Sequence, residues 1–361
     1  MALTYNLLGK YIHQIDERNK DLITDSVLGI NIDKFFMPSV ANVIGTDLSN
    51  YKLLRKNRFA CNPMHVGRDS RLPVSLYQED APAIVSPAYF MFEINDTNEL
   101  DPEYLMLCFR RPLFDRFCTF KTDASVRGGI SWEDLCSIDI PMPSTIEEQR
   151  KIVNDYKVIT DRIELLEKIN TNLEEQASTI YKKFFIEDAK TNGWTLHFLK
   201  EYSPVITGKK DANITVENGK YQFFSCAVET LWTNEYSFND DAILIAGNGD
   251  FSIKWYSGIF EAYQRTYVLI PNNRSMRDLL YYAIKYALPK ATRSARGSVI
   301  SFITKGILED ISFYMPNSEL EIEQYCNIFT TFNKLIDENK KELLNLNKQK
   351  SLFLTKLAKG V

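Results

Sequence analysis

Residues 146–187 read IEEQRKIVNDYKVITDRIELLEKINTNLEEQASTIYKKFFIE. Within this stretch Ile152, Tyr156, Ile159, Ile163, Leu166, Asn170, Leu173, Ala177, Ile180 and Phe184 follow one another in alternating steps of four and three. That rhythm keeps one face of a helix against a partner helix, as in a coiled-coil seam. Asn170 is the polar member of the seam. Pro141 and Pro143 stand just before it, Ser144 with Glu147 predicts a capping box, and Asn192-Gly193 predicts its end. At about 1.5 Å per residue, such a helix is roughly 60 Å long.

Adding 173 to each seam number gives Tyr325, Phe329, Phe332, Ile336, Asn339, Leu343, Leu346, Lys350, Phe353 and Leu357. The same seam therefore returns near the C-terminus without a gap. At the same offset Pro143 maps on Pro316, Glu148 on Glu321, Gln176 on Gln349 and Lys183 on Lys356. Upstream, Ser125-Val-Arg127-Gly128 corresponds to Ser294-Ala-Arg296-Gly297, with four more residues before the proline in the second copy. A ten-position seam in phase with its flanking landmarks points to an internal duplication. In a fully overlapped antiparallel pairing Asn170 faces Asn339 and small Ala177 faces large Phe332, so that two amides satisfy each other and fix the register. The expected seam contacts are Ile163, Asn170 and Leu173 on one helix and Ile336, Asn339 and Leu346 on the other.

The remaining sequence fits two domains of ordinary size in a chain of 361 residues. Apolar runs at Tyr221-Gln-Phe-Phe224, Ala242-Ile-Leu-Ile-Ala246 and Thr266-Tyr-Val-Leu-Ile270 read as strands, and 102–111 and 275–287 read as short helices. Each copy runs strands, helix, Ser-x-Arg-Gly loop, proline and long helix, an α+β domain attached to a helical spacer. The expected boundaries are 1–143, 144–188, 189–316 and 317–361. With 45% hydrophobic and 25% charged residues the composition is that of a globular protein. No apolar run reaches the length of a membrane span, and the N-terminus lacks a charged-then-apolar signal pattern. Six cysteines are scattered without a C-x-x-C pair, so reduced thiols and a cytoplasmic location are expected.

A net charge of −4 argues against a protein that binds nucleic acid over its whole surface. The charge is uneven, however. From 52 to 71 there are six bases (Lys52, Arg55, Lys56, Arg58, Arg68, Arg71) and one acid, Asp69. From 285 to 305 there are five bases (Lys285, Lys290, Arg293, Arg296, Lys305) and no acid. Local basic patches of this kind are compatible with a face that contacts phosphates, and equally with solvated loops.

Signals of catalysis are missing. There is no G-x-x-x-x-G-K-[ST] run to cradle phosphates and no Asn/Asp-Pro-Pro-aromatic tetrapeptide of an amino-methyltransferase. His13, His65 and His197 each stand without a second histidine at i+3 or i+4, so no metal site is expected. Gly247-Asn-Gly249-Asp250 lacks the third glycine and following helix of a nucleotide loop and reads as a turn joining strands. Glu338-Asn-Lys340 and Asp188-Ala-Lys190 match the acid-x-Lys of nucleases, but fall on helical segments without a second acid and read as solvated charge pairs.

The duplicated layout resembles the specificity subunits of type I restriction-modification systems. The resemblance is carried by Pro141-Met-Pro143 with Glu147-Glu148-Gln149-Arg150, by Asn172-Leu-Glu-Glu-Gln176 through Lys183-Phe-Phe185, and by Lys334-Leu-Ile-Asp-Glu-Asn339 through Leu354-Thr-Lys-Leu-Ala-Lys-Gly360. Asn62-Pro-Met64 with Val85-Ser-Pro-Ala-Tyr-Phe90 is similar to one type of target recognition domain, and Ile243-Leu-Ile-Ala-Gly-Asn-Gly249 with Thr266-Tyr-Val-Leu-Ile-Pro271 to another. The chain is at the short end for that family. The resemblance implies an α+β fold of two mixed α/β recognition domains separated by a long antiparallel two-helix coiled coil. It also implies a non-catalytic subunit that reads a bipartite DNA target, with two modification (methyltransferase) subunits docked on the helices and restriction (motor-nuclease) subunits recruited to the complex. S-adenosylmethionine, ATP and magnesium would belong to those partners, and none to this chain.

On that reading spacer length sets the number of unread base pairs between the half-sites, phosphate contacts position the protein and base contacts specify sequence. Lys52, Arg55, Lys56, Lys121, Lys290 and Arg293 are the candidates for positioning. Ser125, Arg127 and Gly128, with Ser294, Arg296 and Gly297, form two equivalent loops whose glycine admits a close phosphate and whose arginine can fork onto phosphate or guanine. Base-reading candidates are Asn62, His65, Arg68, Ser70 and Arg71 in the first domain, and Asn248, Asp250, Lys254, Gln264 and Arg265 in the second. The alternative is a coiled-coil adaptor that binds proteins and not DNA.

Overall fold

The computed structural model describes residues 4–41, 44–64, 66–122, 128–227, 229–292 and 302–357. The chain divides into two compact units, Met1–Leu165 with Leu343–Val361, and Leu166–Glu342. Each unit takes part of both long helices. The first long helix runs Ile146–Tyr181 and continues as a π-helical turn, Lys182–Glu187. The second runs Glu319–Leu357.

The first helix begins one residue later than the Ser144–Glu147 box would have it. Thr145 Oγ1 accepts the Glu148 amide at 3.2 Å, and Glu148 Oε2 reaches back to accept the Ser144 amide at 3.0 Å. A hydroxyl three residues before a carboxylate is the requirement, and Thr145 with Glu148 meets it as well as Ser144 with Glu147. The helix also ends at Glu187, ahead of Asn192-Gly193, which lies in the next turn with Gly193 at φ +68°.

In the first unit the strands Ile12–Ile15, Phe90–Ile94, Phe59–Cys61 and Val74–Leu76 form one antiparallel sheet in that order. A second four-stranded sheet runs Phe36–Pro38, Val27–Ile30, Ala83–Val85, Lys52–Leu54, with one parallel pair. Helices Pro102–Arg110 and Pro112–Lys121 complete the core. Phe59 and Phe92 stack with ring centres 5.0 Å apart, and Phe109 meets Phe59 edge-on at 5.8 Å. The helix Pro102–Arg110 starts where its residues dictate, with Asp101 accepting the Glu103 and Tyr104 amides and proline in the first turn. Buried Gln149 of the long helix ties itself to this corner, accepting the Asp101 amide and donating to the Glu99 carbonyl, both at 2.9 Å. Farther along, Tyr156 packs on Phe353 of the second long helix at 5.6 Å, and Leu357 joins the same core.

The second unit holds a six-stranded sheet in the order Val205–Thr207, Thr266–Leu269, Phe238–Ala246, Ile253–Ala262, Tyr221–Phe224, Leu231–Thr233. Only Tyr221–Phe224 with Ile253–Ala262 is parallel within it. Helix Arg277–Ala291 covers one face and meets the long helices through Tyr282, Tyr181 and Phe329, with Tyr282 and Phe329 rings 5.0 Å apart. Buried Asn333 donates to Asp278 at 2.7 Å and accepts from the Tyr282 hydroxyl at 3.1 Å, so the polar atoms entering this contact are satisfied.

The duplication is repeated in hydrogen bonds. Strand Thr4–Leu7 pairs antiparallel with Asp139–Met142, and Thr195–Phe198 with Ser312–Met315, with Thr4 opposite Met142 and Thr195 opposite Met315. The Leu8 amide then donates to Ile138, and the Leu199 amide to Ile311, each at 2.9 Å. Ahead of these strands lie short helices Trp132–Cys136 and Lys305–Glu309, capped by Ser131 and Thr304. These short elements between the Ser-x-Arg-Gly loop and the proline were not expected from the sequence. Each is too brief for a helix or strand period to show.

Candidate nucleic-acid interface

In the first unit, adjacent strands Phe59–Cys61 and Val74–Leu76 force the polar stretch between them to leave the sheet and return. Its base is closed by the Asn62 amide donating to Pro73 at 2.8 Å. Asn62 Oδ1 accepts the Met64 amide at 3.1 Å, one helical turn Val66–Asp69 follows, and Ser70 turns the chain back at φ +52°. Onto this loop docks the segment after the first Ser-x-Arg-Gly motif. The Gly67 amide donates to Gly128 at 2.9 Å and the Ile130 amide to Pro63 at 3.1 Å. Gly128 has φ +46°, and a Cβ on it would stand 2.9 Å from the Gly67 Cα, so the two backbones touch where no other residue fits. Thr122, next to Lys121, lies against the same glycine. The fold thus brings Asn62, Arg68, Ser70, Arg71, Lys121 and Gly128 to one edge of the sheet. His65, Ser125 and Arg127 lie outside the described residues.

The second unit builds a comparable edge from other elements. Residues 247–252 turn between strands Phe238–Ala246 and Ile253–Ala262, with Gly249 at φ +80° and Asp250 accepting the Ser252 amide at 3.1 Å. The Gly247 amide donates to Arg265 at 2.8 Å, and a Cβ on Gly247 would stand 2.4 Å from that carbonyl oxygen. The Gln264 amide donates to Lys210 at 2.9 Å. Lys254 Nζ donates to Ala227 at 3.0 Å, and burial pushes its ammonium below the usual lysine range. The segment after the second Ser-x-Arg-Gly motif then docks here. Asn248 is bridged to Phe302, and the Ile303 amide donates to Gly247 at 2.9 Å. Lys290 sits in the last turn of Arg277–Ala291, which leads toward that motif. Arg293, Ser294, Arg296 and Gly297 lie outside the described residues.

Ile130 and Ile303 are equivalent in the repeat, and both are buried, at 4% and 3% exposure. Each plugs the core and donates its amide to a loop carrying base-reading candidates, at Pro63 and at Gly247. Phe302 is 57% exposed on this anchored edge, and Phe120 is 84% exposed beside Lys121. Sequence alone points to neither, because Phe302 lies in the apolar run 299–303 and reads as core, while Phe120 stands between Thr119 and Lys121 outside any motif.

The basic run from 52 to 71 is less bare in space than in sequence. Arg55 pairs with Glu17 at 3.0 Å, Lys56 with Asp80 at 2.7 Å, Arg58 with Glu17 and Glu93 at 2.6 Å, and Arg71 with Asp33 at 2.6 Å. Arg68 forks onto its neighbour Asp69. Lys52 is 6% exposed, with Nζ on the Tyr89 carbonyl at 2.7 Å and on Asp16 at 3.3 Å. It is thereby withdrawn from any phosphate, a strand position whose neighbours the sequence could not supply. The pairs of Arg55, Lys56, Arg68 and Arg71 are solvent-exposed, hence weak and exchangeable for a phosphate partner. Among the described residues no three His, Cys, Asp or Glu side chains are grouped to hold a metal ion, and no helix is long and apolar enough to cross a membrane.

Two sheet domains, each with a loop edge anchored from the segment before a long helix, define a duplicated class of protein. The profile of the type I restriction modification DNA specificity domain matches residues 74–175 and 191–348, and the chain belongs to that family. The specificity subunit of the Escherichia coli type I restriction enzyme EcoDI is 43% identical over 124 residues, 34% of this chain. That match spans only 28% of the relative's length. The specificity subunit of the type I enzyme MjaIX from Methanocaldococcus jannaschii is 23% identical over 72% of this chain and 68% of its own. The crystal structure of a type I restriction-modification S subunit from M. genitalium superposes with a TM-score of 0.64 at 18% identity, covering 99% of this chain and 96% of that one. At that identity the likeness shows the fold.

Proposed function

We propose that the chain is the DNA sequence-recognition subunit of a type I restriction-modification complex and carries no catalysis itself. Each unit reads one half of a bipartite target, and the length of the two helices sets the number of unread base pairs. Modification subunits dock on the helices and restriction subunits join them, bringing S-adenosylmethionine, ATP and magnesium. The observation that carries this reading is the paired anchoring of Ile130 on Pro63 and Ile303 on Gly247. Two otherwise different sheets hold Ile130 and Ile303 against a polar loop in the same way. A shared feature on divergent scaffolds suits two readers that approach the same backbone and read different bases.

The first edge would read through Asn62, Arg68, Ser70 and Arg71, with Arg55, Lys56, Lys121 and the 125–128 loop on phosphates. The second would read through Asn248, Asp250, Lys254, Gln264 and Arg265, with Lys290, Arg293 and the 294–297 loop on phosphates. Co-expression with a modification subunit, followed by sequencing of methylated sites, tests this directly. A bipartite methylated motif with a fixed gap is expected. Absence of strongly salt-dependent retention of the complex on DNA would instead favour a protein-binding adaptor, since phosphate contacts release counterions.

A further inference from the structure

Behind the first reading edge lies a buried ion pair that the recognition reading does not use. Lys34 is 4% exposed, yet its Nζ donates to Asp115 Oδ1 at 2.5 Å and to the Leu72 carbonyl at 3.1 Å. The same Asp115 Oδ1 accepts the Leu72 amide at 3.0 Å. One ion pair therefore grips both backbone groups of Leu72. The Lys34 ammonium also lies 5.7 Å from the centre of the Phe114 ring. Lys34 adopts φ +68°, and its own carbonyl accepts the Ser75 hydroxyl at 3.3 Å. One residue earlier on each side, Asp33 pairs with Arg71. The segment Asp33-Lys34 thus holds Arg71-Leu72, directly after Ser70.

We propose that Lys34 and Asp115 are positioning residues for the first reader, fixing Arg71 and Ser70 at the distance and angle that base reading requires. Burial of an ion pair is a poor way to gain stability, because desolvation offsets the attraction. Its use is geometric: a short ammonium–carboxylate contact with both backbone groups of Leu72 attached leaves the loop one position. Base readout needs such fixity, since a bidentate contact is lost when the side chain shifts by a fraction of its length.

The inference rests on the recognition reading, and the test separates the two. The complete complex with modification subunits is assembled from wild type and from the Lys34→Met/Asp115→Leu double variant, which removes both charges together and so leaves neither unpaired. Methylated sites are sequenced and the thermal midpoint is measured. The expected result is a folded complex whose midpoint is lowered by the two backbone groups of Leu72 left without partners, with at least tenfold loss of discrimination in one half-site, the other half and the gap unchanged. Unchanged discrimination in both halves, or equal loss in both, would overturn the proposal. A wild-type complex that methylates no bipartite site would instead sink the recognition reading itself. If the double variant does not fold, Lys34→Gln/Asp115→Asn removes both charges while keeping a donor and an acceptor near the Leu72 backbone, and the same one-sided loss is required of it.

Discussion

Asn339 donates its side-chain amide to the side-chain carbonyl of Asn170 across 2.8 Å, inside a mostly apolar seam. Ile336 on one side and Leu166 on the other are each 1% exposed. An amide pair so placed contributes little net stability but penalises any shift that would set one amide against a methyl group. Asn170→Leu alone is expected to destabilise by about 1 kcal/mol, because Asn339 keeps a half-buried amide without its partner. The Asn170→Leu/Asn339→Leu double variant should recover or exceed wild-type stability while losing the single register. Distances between spin labels on exposed Thr179 and Lys334 should broaden from one population to several. A single unchanged distance would show that the amides do not set the register.

The contact of Gly67 with Gly128 gives a sharper test of the first edge than any charge removal. A side chain at Gly128 meets the Gly67 backbone at 2.9 Å and must also adopt φ +46°. Gly128→Val is expected to push residue 128 away from Gly67, since backbone on both sides cannot yield cheaply. DNA affinity of the assembled complex should fall by about 1–3 kcal/mol, measured by fluorescence anisotropy. Its core neighbour Ile130 is buried from the other side, so the thermal midpoint should change little by comparison.

Arg127→Ala and Arg296→Ala, in equivalent loops, should each weaken DNA binding by about 1–3 kcal/mol. If the arginine sits on phosphate, the slope of log affinity against log salt also falls by about one and all sequences lose alike. A guanine contact would relax one position of the target and leave the slope nearly as it was. Unchanged affinity in both variants removes these loops from the interface.

The parts of the molecule written in long periods were legible in the sequence, and those set by tertiary contact were not. Ten seam positions repeated at a fixed offset outweigh any single misreading, so the helices, their duplication and the facing of Asn170 and Asn339 follow from spacing alone. Strands Tyr221–Phe224 and Thr266–Leu269 were visible as short apolar runs. The order of strands in the sheets was not, because pairings such as Val27 with Ile84 join residues far apart in the chain. The charge of the first edge misled for the same reason. Lys52 reads as one base of six, and only folding brings Asp16 and the Tyr89 carbonyl to it. Lys34 and Asp115 escaped notice because neither belongs to a motif and their meaning lies in a shared neighbour, Leu72.

The cost of acid should fall on the same cluster. Hydrogen bonding from Arg55, reinforced by Arg58, holds the Glu17 carboxyl below its usual range, and Arg18 with Lys52 does the same for Asp16. A carboxylate whose folded value is depressed contributes stability that is fully present above its unfolded value, about pH 4, and is lost as pH falls through the folded value. The thermal midpoint of the chain should therefore drop on going from pH 5 to pH 3. Glu17→Gln should start lower at pH 5 and drop less, because it has one fewer shifted carboxylate to protonate. Parallel curves for the two proteins would show that Glu17 contributes nothing to acid sensitivity. Both groups are partly exposed, at 60% and 39% for the Asp16 and Glu17 side chains, so added salt should shrink the difference between the curves.

The aromatic junction in the second unit offers the largest expected loss. Phe329 is fully buried, and its ring lies 5.0 Å from Tyr282, 6.1 Å from Phe185 and 6.2 Å from Tyr181. It therefore joins the helix Arg277–Ala291 to both long helices at one point. Phe329→Ala removes the ring and leaves a cavity that the three large aromatics around it cannot collapse to fill, costing about 3–5 kcal/mol. Phe329→Leu keeps most of the volume and should cost less than half of that. Calorimetry of the full chain should show the loss in the transition that carries the second unit, with the other transition unmoved if the two units melt separately. A loss below about 1 kcal/mol for Phe329→Ala would mean that the junction repacks and does not hold the helices to the sheet.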